Sequence, residues 1–251
     1  MNFKKMIKSF KLFIIILLFG LVGAAKAQEL TIYVDNWPPY NFIKNDKIVG
    51  ISTELIEAAL QRANIQYKLV KYPFKRGLAT VRSTPYTMLY TAARIPQRED
   101  EFAWIGPLHP RKVYLFKLSN RTDIQINELE DIKKYRTGVL SGGSVEQFFI
   151  DSGLSDEYYH LVNYSVQLLK MLLIGRFDLI PGDPLDLAYQ MKSLGSKYSE
   201  LEVAYLLSDE GGYYMVANKE TPVEILVKIQ ESLEEVIATG LRDRVIEKYL
   251  R

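Results

Sequence analysis

The chain has 251 residues, 32 basic and 30 acidic, for a formal charge of +2. It contains no cysteine, which excludes a disulfide framework, a thiol nucleophile and a thiolate-held metal. The near balance of charge supplies no basic field of the kind nucleic acid requires.

Residues 1–27 read as a secretory signal. Lys4, Lys5, Lys8 and Lys11 make a basic start, Leu12 to Val22 is apolar, and Ala25-Lys26-Ala27 offers a small-x-small cleavage site before Gln28. The apolar run falls short of the roughly 20 residues a membrane span needs. An uncleaved N-terminal anchor is the alternative. Cleavage would remove five lysines, leaving 27 basic residues against 30 acidic, about −3. With no cysteine to carry a lipid, the expected mature protein is soluble and periplasmic.

The remaining length, about 224 residues, suits two lobes of ordinary domain size. Leu30 to Asp35 reads as a strand, followed by the loop Trp37 to Phe42. Ser52 or Thr53 can cap a helix to about Ala63, with Leu55, Ile56, Ala59 and Leu60 at helical spacing. Gln66 to Tyr72 is a second strand, Pro73 to Arg82 a second helix and Tyr86 to Tyr90 a third strand. Strands alternating with single helices predict a mainly parallel sheet covered on both faces.

The order repeats after Lys112. Val113 to Leu118 is a strand, Asn127 with Glu130 resembles a helix start, and Tyr135 to Leu140 is a strand entering Ser141-Gly142-Gly143-Ser144. A helix from about Val145 to Ser152, a strand near His160 to Val162 and a helix from about Val166 to Ile174 follow. Phe177 to Ile180 is a buried strand, and Gly182-Asp183-Pro184 opens the next helix. Strands over Glu202 to Leu207 and Tyr213 to Asn218 precede the last helices, where Thr221-Pro222-Val223-Glu224 combines a capping Thr, an N-terminal Pro and an early Glu.

Several stretches can carry chemistry. Arg94 and Arg98 lie just past the third strand, where two planar guanidiniums suggest an anion site. The competing reading is a solvated loop in which they pair with Glu99, Asp100 and Glu101. Trp37 to Tyr40 sits beyond the end of the first strand, where open α/β sheets bind ligands; the same rings can instead cap the core. The SGGS stretch is a strand, a Gly-rich turn and a helix N-terminus that would favour an anion, or a plain turn. Asp183 is either a helix cap or a carboxylate offered to an ammonium group. His109 and His160 read as structural, and no GxSxG, HExxH or clustered metal ligands occur.

In order and spacing, these motifs resemble the family 3 extracellular solute-binding proteins, the periplasmic receptors of polar amino-acid uptake. The resemblance rests on D-x-W-P-P-Y (Asp35 to Tyr40), I-V-G-I-S-T-E-L (Ile48 to Leu55), R-x-P-x-R-E with the following aromatic and Gly-Pro (Arg94 to Leu108) and T-G-V-L-S-G-G-S (Thr137 to Ser144). It continues through G-R-F-D-L-I-P-G-D (Gly175 to Asp183) and G-L-R-x-x-x-I-x-K-Y (Gly240 to Tyr249). It implies an α/β, periplasmic binding protein-like (type II) fold with two lobes and a ligand cleft between them. Lobe one would be residues 28–113 and 208–251, and lobe two residues 114–207. Hinge closure on a ligand follows from that architecture.

The resemblance also implies roles. Arg98 matches the arginine that forks onto the ligand α-carboxylate, and Thr91 and Ala93 match residues lining the same pocket. Gly143 and Ser144 match the second-lobe turn that donates to that carboxylate, Asp183 the acid that receives the α-ammonium, and Trp37 the aromatic that packs on the ligand. The chain departs from the family in having Ser52-Thr53-Glu54 where Asp-x-Asp is usual, and in two further cations, Arg94 and Arg76, near the expected cleft. Arg94 is therefore a candidate ligand residue for a second anion, or the partner of a neighbouring acid. The expected function is capture of a polar amino acid or similar small carboxylate and delivery to an inner-membrane ABC permease. The receptor would be a monomer with no cofactor, metal or nucleic-acid partner. A cyclohexadienyl-dehydratase-like enzyme and a ligand-sensing signalling subunit are the alternatives.

Overall fold

The computed structural model describes residues 29–209 and 211–250; the signal segment read at 1–27 lies outside them. The N-terminal part alternates strands and helices: β1 (Leu30–Val34), the hairpin β2 (Phe42–Lys44) and β3 (Lys47–Val49), α1 (Ile51–Arg62), β4 (Tyr67–Lys71), α2 (Phe74–Ser83) and β5 (Thr87–Ala93). A 3-10 turn over Pro96–Glu101 leads into β6 (Ala103–Pro110). The chain then builds β7 (Val113–Leu118), β8 (Thr137–Leu140), α3 (Ser144–Asp151), β9 (Tyr159–Val162), α4 (Ser165–Leu173), β10 (Ile180–Gly182), α5 (Pro184–Ser193) and β11 (Leu201–Ser208). It closes with β12 (Gly212–Ala217), α6 (Val223–Ala238) and α7 (Leu241–Leu250).

The first sheet has the order β4-β1-β5-β12-β6. β1 runs parallel to β4 and β5, but β12 is antiparallel to both β5 and β6. The sheet is therefore mixed, not mainly parallel. β6 accounts for part of the difference, because Gly106-Pro107, a dipeptide that locally favours a turn, lies within a strand. An edge position makes this possible, since an edge proline removes no ladder bond. Every residue of β5 is buried, as befits a central strand with a layer on each face. Leu55, Ile56, Leu60, Ile229 and Leu233 of α1 and α6 pack on one face, and Leu78 and Val81 of α2 on the other.

The second sheet, β10-β7-β11, is antiparallel, and the parallel pair β8-β9 adjoins it through a bridge between Thr137 and Leu179. Alternation along β7 sends Leu115 into one core and Phe116 into the other. Where the chain passes between the two sheets, the described residues of its two passages, 110–113 and 208–209 with 211–212, lie side by side. Gly212 pairs with Pro110 in the first sheet, Ser208 with Val113 in the second, and Arg111 N donates to Gly211 O at 3.2 Å between them.

Helix starts differ from expectation where the capping side chains are used elsewhere. α1 begins after Gly50, because the Ser52 hydroxyl bonds His109 and the Thr53 hydroxyl bonds Tyr90. α6 begins at Val223 after Pro222, and Thr221 Oγ1 is buried without a partner instead of capping. The start read at Asn127 is a 3-10 turn over Leu129–Lys134, capped reciprocally by Glu128 and Asp131. The strand read over Phe177 to Ile180 falls at Ile180–Gly182.

Candidate functional site

A cavity lies where the ends of β1 and β5 face β8, β10 and the starts of α3 and α5. After β1 the chain makes a tight reversal, in which Trp37 N donates to Asn41 O and Asn41 N to Trp37 O. Gly50, at φ +133°, lets α1 begin against this loop; a Cβ there would lie 2.4 Å from Tyr40 O. The loop holds Trp37 and Tyr40 with ring centroids 4.9 Å apart, and both rings rest on Tyr213 of β12.

Arg98 supplies the cavity's cation. The turn after β5 folds it back so that Nη1 donates to Ala93 O at 3.3 Å and Nη2 to Gly142 O at 2.7 Å, and its guanidinium lies over the Phe74 ring. Among the described residues Arg98 forms no salt bridge, and burial lowers its pKa to about 10. A buried guanidinium without a carboxylate partner is costly unless a ligand supplies one. Gly142 precedes α3, whose first backbone N–H groups, with Gly143 at the N-cap and Ser144 following, edge the same space.

Carboxyl groups line the cavity as well. Asp183 Oδ1 caps α5 by accepting from Leu185 N and Asp186 N, and it also accepts from the Tyr40 hydroxyl at 3.0 Å. The cap and cleft readings of Asp183 are thus combined in one side chain. Asp186, three residues on, accepts from Trp37 Nε1 at 2.7 Å and from Gln190 Nε2. Burial raises the pKa of Asp183, lifts Asp186 to about 7 against the pull of its two donors, and lifts Asp35 to about 6. None of the three lies within salt-bridge distance of Arg98. The arrangement is complementary to a molecule carrying both a carboxylate and an ammonium group. Among the described residues no group of three or more His, Asp or Glu side chains is placed to hold a metal ion.

Trp37, Thr91, Ala93, Arg98, Gly143, Ser144 and Asp183 all line this one cavity. Arg94 does not. Its guanidinium pairs with Glu99 and lies over Trp104 and Tyr214, 5.4 and 5.3 Å from their ring centroids. The split follows from the chain path, since Arg94 continues the β5 register, with its N–H on Gly212 O, whereas Arg98 lies beyond a reversing turn. Arg76 lies over Tyr72 and is likewise absent from the lining. His109 is buried against Ser52 and held neutral, its pKa lowered to about 3 by burial, and His160 stacks on Phe177.

Asp35, Asp186 and Tyr213 line the cavity without having been singled out from sequence. Asp186 had a usable signal, because a position three residues beyond a helix-capping Asp lies on the same face. Asp35 stands in a quoted motif. Tyr213 had none, since its place depends on a pairing with β5 more than a hundred residues away.

A probable histidine-binding protein of Campylobacter jejuni subsp. jejuni is 25% identical over 218 residues, covering 85% of this chain and 81% of that protein. A solved ancestral arginine-binding protein bound to arginine superposes with a TM-score of 0.75 at 19% identity, covering 89% of this chain and 98% of its own. A histidine kinase sensor domain with similarity to periplasmic binding proteins superposes at 0.78 and 17% identity, covering 90% and 97%. These likenesses show a periplasmic-binding-protein fold. The sequence profile of the bacterial extracellular solute-binding proteins, family 3, matches residues 30–251, and the chain belongs to that family.

Proposed function

We propose that this protein captures a polar amino acid in the cavity between its two sheets and delivers it, from the periplasm, to an inner-membrane ABC-type permease. The observation that carries the reading is Arg98, buried and without a carboxylate partner, in a cavity that also holds Asp183, Asp186 and Asp35. In the proposed complex Arg98, the α3 N-terminus and the Ser144 hydroxyl take the α-carboxylate. Asp183 takes the α-ammonium, Trp37 packs on the ligand, and Thr91 and Ala93 close the pocket.

Two lobes move about the adjacent crossings, residues 28–113 with 208–251 against residues 114–207. The arginine- and histidine-binding names of the similar proteins support an amino acid as the ligand class. Export rests on the N-terminal segment and on the extracellular family.

A thermal-shift screen of the mature protein against the twenty L-amino acids tests the reading, because a cleft ligand raises stability in proportion to ln(1 + [L]/Kd). At least one is expected to raise the melting temperature. Calorimetry on Arg98→Met should then show a loss of about 3–5 kcal/mol, the penalty for breaking a buried ion pair. No shift with any amino acid, or unchanged affinity in the variant, refutes it. The transport half is tested by loss of uptake of the radiolabelled amino acid when the gene is deleted.

A further inference from the structure

Arg111 stands in the first crossing between the sheets, only 7% exposed. Its Nη1 donates to Ser208 Oγ at 2.9 Å and its Nη2 to Ser144 Oγ at 3.1 Å. Like Arg98, it forms no salt bridge among the described residues. It reaches the turn that Arg98 reaches, since Arg98 bonds Gly142 O and Arg111 bonds the hydroxyl two residues on.

The chemistry of the contact is directional. A guanidinium has no acceptor, so in the Arg111–Ser144 bond the serine oxygen must accept. A hydroxyl has one proton, and with a lone pair engaged by Arg111 that proton turns away from it. Among the described hydrogen bonds the Ser144 hydroxyl donates to nothing, and Ser144 lines the cavity.

We infer that Arg111 is a positioning residue that fixes the Ser144 hydroxyl as a donor into the cavity, so that this corner selects a carboxylate over a carboxamide. The inference rests on the amino-acid reading of the cavity. An amide presenting N–H at this corner would meet a donor facing a donor, and one buried polar group would be left unpaired. A carboxylate meets the Ser144 O–H, the α3 N–H groups and Arg98, all donors. Arg111 also adds a second buried positive charge behind the turn, where it repels Arg98 in the absence of an anion.

The test uses the mature protein with the twenty L-amino acids as probes, then the tightest binder and its α-carboxamide. Arg111→Met is expected to weaken the amino acid at least 30-fold and the amide less than 3-fold. Arg111→Lys, which restores a donor, should recover most of the discrimination. Ser144→Ala should reproduce the Arg111→Met loss, and the double variant should lose no more than Arg111→Met alone. Equal losses for acid and amide in Arg111→Met would make the residue a purely structural strut, and losses that multiply in the double variant would show that it does not act through Ser144. Either result overturns the proposal, as does unchanged binding. If Arg111→Met does not fold, Arg111→Lys and Ser144→Ala decide the matter, because a selective loss in Ser144→Ala absent from a folded Arg111→Lys is required. A wild-type protein that binds none of the twenty refutes the functional reading and this inference with it; binding that survives in the variants refutes the inference alone.

Discussion

Replacing Asp186 by Asn should flatten the pH dependence of stability between pH 5 and 8. Burial lifts this carboxyl from 3.8 to about 7, helped by Asp183 and opposed by the donors Trp37 Nε1 and Gln190 Nε2. The folded protein thus binds the Asp186 proton more tightly than the unfolded chain does. The corresponding stabilisation is complete below pH 3.8 and is lost as pH rises through about 7. At about 1.4 kcal/mol per pH unit the loss totals about 4 kcal/mol, with about 2.5 kcal/mol of it between pH 5 and 8. Asn keeps an acceptor oxygen for Trp37 and cannot ionise. Urea unfolding of both proteins at half-unit intervals should therefore show the wild type falling relative to the variant as pH rises. Asp35, lifted to about 6, slopes the same way, and His109, lowered to about 3, slopes oppositely below its unfolded value, but both are present in the two proteins and cancel. Parallel stability profiles would refute the assignment of a buried, proton-holding Asp186.

Arg94→Ala separates the two arginines of the R-x-P-x-R-E motif: with its partner Glu99 exposed, it should cost at most about 1 kcal/mol in denaturant unfolding and change amino-acid affinity less than about 3-fold. Gly50→Ala places a Cβ 2.4 Å from Tyr40 O in a backbone conformation that L side chains avoid, so it should destabilise by about 1–3 kcal/mol. It should also weaken amino-acid binding, measured by calorimetry on the folded fraction, through displacement of the loop that presents Trp37 and Tyr40.

Much of the molecule can be read from local pattern. β1, β4, β5, β7 and β11 alternate or run apolar over strand lengths, and their predicted bounds fall within a few residues of those observed. Reading fails where a long-range pairing overrides the local signal. Gly106-Pro107 looks like a turn until β12 arrives to pair with β6, and the parallel expectation fails for the same reason. Capping errors at α1 and α6 share a cause, because Ser52, Thr53 and Thr221 are buried in the tertiary structure and serve or face other groups. At the cavity, residues just past strand ends were accessible to local pattern, as Trp37, Arg98 and Asp183 illustrate, whereas Thr91, inside β5, came only from the family resemblance. Arg111 was not, since what distinguishes it is hydrogen bonding to serines 33 and 97 positions away.

The insertion of β12 between β5 and β6 has a consequence for how the chain is made. Until residues 212–217 are synthesised, the first sheet lacks the strand that joins β5 to the edge strand β6, and those two have no ladder partner on the sides that face each other. The second sheet, by contrast, needs only residues 113–208. Closing a loop of more than a hundred residues before the central contacts can form makes this half slow to fold. The nascent chain therefore cannot complete its first sheet until residues 212–217 have been made, whereas the second sheet can close earlier.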